Sequence, residues 1–142
     1  MKGDKQFYIG VKALITDHAG RVLILKGAPR KPSDKWKPYW DLPGGKMQSL
    51  DIKGTLAREV REEIGIGRLS IGKLLDVSVA NFKIDNGRGN LMFLIYQCKI
   101  PAGSRLKLSS EHSEFKWVSR KDAAKHLAYM LPKSSLGKIS RA

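Results

Sequence analysis

Cysteine is almost missing from this chain. Its 142 residues include one, Cys98, so an internal disulfide framework is excluded. Cys98 lies in "NLMFLIYQCKI" and reads as a small buried strand residue. Long apolar runs are missing as well. None approaches the roughly 18 residues that a membrane-spanning helix needs. The opening "MKGDKQFYIG" lacks the apolar block of a secretory signal. No membrane association and a cytoplasmic location are the expectation. Acid is scarce: 13 Asp+Glu stand against 27 Lys+Arg, a net charge of +14. Such a surface attracts polyanions such as nucleotides, pyrophosphates and RNA. It also serves solubility, and by itself it names no substrate. The length and the 42% hydrophobic content suit one folded domain with its own core.

The order of elements follows from local patterns. "FYIGVKALIT" and "RVLILK" read as strands. With the turn "DHAG" at 17–20 between them, they are expected to form a hairpin. Residues 27–39 form a long loop with three prolines and several basic residues, and loops of that length inside a compact domain are often functional. Gly44-Gly45 follows, a pair that permits positive φ or close approach to a ligand. Asp51 is placed to cap a helix from about Ile52 to Ile64, and Gly65 to stop it. Ile52, Leu56, Val60 and Ile64 recur every four residues as its buried stripe.

"LSIGKLLDVSVANFKI" and "NLMFLIYQCKI" add two or three strands around the turn "DNGRG", and "SEFKWVS" a last one. Ser119 begins a short helix that Pro132 ends. Trp40 and Trp117 are assigned to the core. His18, His112 and His126 are read as ordinary polar residues. Residues 4–131 are expected to form a single domain and 132–142 a basic, flexible tail. The expected fold class is α+β.

The scarce acid is unevenly spread. Of five glutamates, Glu59, Glu62 and Glu63 fall within five consecutive positions of "LAREVREEIG". On a helix they occupy an arc of roughly 100° beside the buried stripe. They lie near the helix C-terminus, where the dipole disfavours each acid by about 0.3–1 kcal/mol. Glu59 and Glu63 are also a like-charge i,i+4 pair. A solvated acidic face relieved by lysines would account for this. So would a cation site, and clustered carboxylate oxygens suit Mg²⁺, Mn²⁺ or Ca²⁺.

Read as one unit, "GGKMQSLDIKGTLAREVREEIGI" resembles the signature box of the Nudix hydrolases, here residues 45–66. The family pattern is glycine, five residues, glutamate, seven residues, arginine-glutamate, an apolar residue, any residue, two glutamates, any residue, glycine and an apolar residue. Arg58, Glu59, Val60, Glu62, Glu63, Gly65 and Ile66 match its second half throughout. "WDLPGG" and "EHSEFKWVS" are similar to the same family. The first half departs from it. Counting from Gly45 puts Asp51 where glutamate is expected, and counting back from Arg58 puts Leu50 there.

The resemblance implies a mixed β-sheet sandwiched between helices and a metal-dependent pyrophosphohydrolase. Its substrate would be a nucleoside diphosphate linked to another moiety: a nucleoside triphosphate, an ADP-ribose-like compound, a dinucleoside polyphosphate or an RNA 5′ end. Mg²⁺ would be the cofactor, with Mn²⁺ able to replace it. Glu59 and Glu63 would be the main metal ligands, with Glu62 binding metal or assisting a bound water. Gly44 or Gly45 would offer a backbone carbonyl, and Arg58 would orient the glutamates. Glu111 is preferred over Glu114 as general base. Lys26, Arg30, Lys31, Lys35 and Lys37 could meet phosphates, and Trp36, Tyr39 and Phe82 could stack a base. The chain would act as a monomer or homodimer. Two other readings remain open: a non-catalytic module of the same fold that binds nucleotide or nucleic acid, and a basic nucleic-acid-binding domain without a metal site.

Overall fold

A computed structural model describes residues 3–29 and 37–142. Two sheets form. The first runs β4 (Gly44–Lys46), β1 (Phe7–Ile15), β6 (Gly89–Lys99), β5 (Ser70–Ile84). It is mixed, because β1 pairs parallel with β6 and antiparallel with β4. The second runs β3 (Trp40–Asp41), β2 (Val22–Gly27), β7 (His112–Val118) and is antiparallel.

β1 and β2 are apolar almost throughout because both of their faces are covered. Val11, Ala13, Ile15, Leu23 and Leu25 pack under α1 (Ile52–Ile64), against Leu56, Val60 and Ile64. Leu14, Val22 and Ile24 face a second cluster that includes Ala123, Leu127, Met130 and Ile139. Those residues come from α2 (Arg120–His126), α3 (Lys133–Arg141) and the link between them. The sheets therefore lie between helices, and the α+β class holds.

Three local expectations need correction. β1 and β2 do not form a hairpin ladder; a single bridge joins Thr16 to Val22. β4 and β6 take both edges of β1, so β2 must pair elsewhere. The turn closes on its own aspartate instead: Asp17 accepts from the Ala19 and Arg21 N–H groups and from Arg21 Nε. Ile52 is not part of the buried stripe but is 36% exposed in the first turn of α1. Trp40 and Trp117 are only half-buried, packed on the edges of the two clusters.

The segment 132–142, expected to be a flexible tail, carries α3. Ile139 is fully buried. Ser135 Oγ lies 2.6 Å from Asp76 Oδ2 and from Ser78 Oγ, and Lys138 Nζ 2.8 Å from Asp76 Oδ1. Burial alone would raise the Asp76 carboxyl. The hydrogen bonds from Lys138 and Ser135 and the lysine's charge outweigh burial and hold it below the usual carboxylate range. A depressed acid adds stability above its unfolded pKa of about 4, and that stability is lost as pH falls through the folded value. Asp76→Asn is expected to lower the melting temperature at neutral pH. It should also make the acid-side decline shallower, which melting curves across pH would measure.

Candidate active site

The helix that carries the glutamates forms as its caps dictate. Asp51 accepts the Gly54 N–H at 3.0 Å. Gly65 closes the other end in the left-handed region at φ 74°. Asp51 is thus engaged in capping, and Leu50 is fully exposed. Neither joins the other carboxylates.

The three glutamates have different fates. Glu62 is exposed and accepts from Arg58 Nη1 at 3.1 Å. Arg58 also reaches Glu59 at 3.3 Å, so it bridges the two. The Glu59 carboxyl fills the space that a side chain at position 45 would need: a Cβ on Gly45 would stand 2.6 Å from its carboxyl carbon. Glu63 is only 6% exposed. Its Oε1 accepts the Gly44 N–H at 2.6 Å. Burial pushes its carboxyl up to about 8 against the opposing Lys12 charge and the Gly44 hydrogen bond, and Asp41 and Glu59 raise it further.

Four polar residues that sequence reasoning did not assign complete the surroundings. Lys12 is buried within β1. Its Nζ lies 2.9 Å from Asp41 Oδ2 and 3.3 Å from the Leu42 carbonyl. Burial would lower the Lys12 pKa, but Asp41 and Glu63 outweigh it and the net shift is upward. His112, read from sequence as an ordinary polar residue, places Nε2 3.5 Å from Glu63 Oε2. Its pKa is lowered, first by burial and then by Lys12, against Asp41 and Glu111. Ser110 stands beside Glu111 in the same wall. One signal was available in the sequence: a lysine in the middle of "IGVKALI" must be paired if that strand is buried. Asp41→Ala would strand that ammonium and is expected to cost about 3 kcal/mol. Lys12→Met, which leaves the less buried Asp41 to solvent, should cost less. Urea denaturation of both variants checks the order.

These groups meet in a cleft of about 550 Å³. Lys12, Asp41, Gly44, Glu63 and His112 line it, as do Tyr39 and Glu111. Gly45 and Glu59 stand directly beside it, Gly45 pairing with Val11 in the β1–β4 ladder. The remaining sequence candidates are scattered. Lys26 lies over the Trp40 ring at 5.9 Å. Glu114 is 4.0 Å from Lys116 on the exposed part of β7. Phe82 contacts the Tyr39 ring, outside the polar cleft. Lys37 is exposed. Arg30, Lys31, Lys35 and Trp36 lie outside the described residues.

Among the described residues, no three His, Cys, Asp or Glu side chains are grouped to hold a metal ion. What the site offers is two carboxylates, Glu59 and Glu63, turned toward one Gly-Gly loop. That set fits Mg²⁺, which takes one or two carboxylates and leaves its other positions to water and substrate phosphates.

A family model described as NUDIX domain matches residues 7–136. Among curated proteins, no sequence match reaches significance. Solved structures match over nearly the whole chain. The MutT protein of Methanosarcina mazei Go1 is 28% identical, with a TM-score of 0.73 over 97% of this chain and 94% of that one. A C. elegans Ap4A hydrolase in a binary complex is 22% identical, with a TM-score of 0.68 over 96% of each chain. The E. coli dihydroneopterin triphosphate pyrophosphohydrolase is 19% identical, with a TM-score of 0.64 over 96% of this chain and 97% of that one. The last two likenesses concern the fold alone. The fold is that of the MutT-like hydrolases. The chain belongs to the Nudix family of hydrolases. No helix among the described residues is long and apolar enough to cross a membrane.

Proposed function

We propose that the protein is a divalent-metal-dependent pyrophosphohydrolase that cleaves the pyrophosphate bond of a nucleoside diphosphate linked to another group. One observation carries this reading: Glu63 is buried beside Glu59 at the cleft, with its carboxyl raised to about 8. A buried acid beside a second one is costly unless a proton or a cation joins it. Glu59 and Glu63 would hold Mg²⁺, or Mn²⁺ in its place, with a backbone carbonyl of Gly44 or Gly45. The ion would supply Lewis acidity and lower the pKa of a bound water. Arg58 would keep Glu59 and Glu62 in place, and Glu62, on the exposed side, would assist the attacking water.

Glu111 at the cleft wall is the proposed base. A base must come within hydrogen-bond reach of the water it activates, and Glu114, exposed on β7 beside Lys116, is not among the residues that line the cleft. The buried Lys12 ammonium supports a phosphate in the cleft, and the net charge of +14 admits long anionic substrates, RNA 5′ ends included. The protein would work in the cytoplasm, as a monomer or homodimer.

A second reading has its own support. Leu50 is exposed and Asp51 is engaged in capping, so the box lacks a supporting carboxylate. A module that binds nucleotides without cleaving them would need none. The two part on one assay: phosphate or pyrophosphate-bond cleavage across a nucleotide panel with Mg²⁺. Turnover that stops when the metal is chelated supports the enzyme. Tight binding with no cleavage of any panel member supports the module.

A further inference from the structure

The catalytic cleft lies at one end of the three-stranded sheet, where Gly27 of β2 pairs with His112 of β7. At the other end Val22 pairs with Val118. β2 is six residues long, so the two ends stand about 17 Å apart. Two cavities, of about 510 and 230 Å³, open at that far end. Thr16 and Lys99 line both, so the two adjoin.

Their charge is one-sided. Arg21 and Lys99 border the larger cavity, Lys99 and Arg120 the smaller. Among the described residues that line them, Asp17 is the sole acidic side chain. It is already engaged, accepting from Arg21 Nε and from the Ala19 and Arg21 N–H groups. Arg120 is half-buried where the chain passes from β7 into α2. Its Nη1 lies against the β1–β2 turn, 3.6 Å from where a Cβ on Gly20 would stand. Its Nε is buried and has no hydrogen-bond partner. Among the described residues no acid pairs with it, nor does the Ala142 carboxylate, although Ala142 lines the same cavity. A guanidinium is a planar fork of five donors, and a buried donor left unpaired is costly. Such a fork in the wall of a basic cavity is accounted for by an anion that fits it.

We propose that Arg120, Lys99 and Thr16 form a second phosphate-binding site, separate from the catalytic cleft. Arg120 takes two oxygens with its fork, and Lys99 adds a point charge. The hydroxyl of Thr16, a residue only 8% exposed, donates to a third oxygen. A tetrahedral phosphate has oxygens for all three groups; a carboxylate has two. The site lies a strand's length from Glu63, so it does not hold the phosphate under attack. It holds a free phosphate or pyrophosphate, or a backbone phosphate of a longer chain such as RNA. The assignment stands or falls independently of the hydrolase reading.

The test follows backbone amide signals by NMR while inorganic phosphate is added to metal-free protein at about 0.15 M salt, which screens loose surface charge. Saturating shifts are expected at Thr16–Arg21, Lys99 and Arg120, titrating independently of Gly44 and Glu63. Arg120→Met should weaken phosphate at these signals at least about tenfold. It also removes an unpaired buried donor, so without phosphate it should melt no lower than wild type. Lys99→Met, at an exposed position, should weaken phosphate as well. The site is overturned if the far-end signals stay still, or climb without saturating as with an adventitious ion only. It is equally overturned if Arg120→Met melts well below wild type with phosphate affinity intact. A hexaribonucleotide without a 5′ phosphate separates the sources. Tighter binding than phosphate at the same signals assigns the site to an RNA backbone; phosphate binding without it assigns a small free anion.

Discussion

Replacing Glu63 by glutamine is expected to cut hydrolysis by more than about a hundredfold while leaving the protein folded. Even the outer hydrogen-bonding partners of a metal ligand are worth ten- to a hundredfold, and Glu63 is proposed as a ligand itself. The fold should tolerate the change because the Glu63 carboxyl, raised to about 8, carries its proton at neutral pH when no cation is bound. Glutamine is a neutral group of the same shape, and its amide oxygen can still accept the Gly44 N–H. Melting temperature without metal should therefore match or exceed wild type, and the stabilisation that Mg²⁺ is expected to give wild type should disappear. Glu62→Gln, at an exposed carboxylate already held by Arg58, should cost less. Unchanged turnover in Glu63→Gln would remove the metal-site assignment.

Gly44→Ala should damage the fold itself. Gly44 has φ 147°, and a Cβ there would run into the Val11 carbonyl oxygen and stand 2.9 Å from the Lys12 Cα. Both obstacles are backbone of the central strand and cannot move aside. A cost above about 3 kcal/mol is expected, and with it loss of the N–H that holds Glu63. Gly45→Ala provides the contrast. The three atoms nearest to its Cβ would be those of the Glu59 carboxyl, the end of a flexible side chain. That variant should fold and bind Mg²⁺ poorly. Urea denaturation with a Mg²⁺ titration on each variant decides the matter. A Gly44→Ala protein with wild-type stability would refute this account of the loop.

The helix of the site was legible because its signals are local. Asp51, the Leu56–Val60–Ile64 stripe and Gly65 set both ends of α1 without reference to the rest of the chain. β1, β2 and β7 were legible as strands, but not their division between two sheets, since pairing depends on which edges are already taken. α3 was missed for a related reason. Its sequence has only Leu136 and Ile139 to bury, and what fastens it is Asp76 and Ser78, far away on β5. The same limit hid His112 and Asp41. Each lies beside its partners only after the sheets have formed, and no spacing in the sequence links them.

The parallel pairing of β1 with β6 sets a schedule for the chain as it leaves the ribosome. β1 emerges first, and the strand it pairs with, Gly89–Lys99, emerges late. Contacts between distant segments form slowly. Until then β1 and β2, apolar on both faces, have no cover and are prone to stick to other chains. A ribosome-bound fragment ending near Ile66 would carry the whole sequence signature and no working site. His112, which borders Glu63, is made later still, so the residues that identify the enzyme are synthesised well before one that completes its cleft.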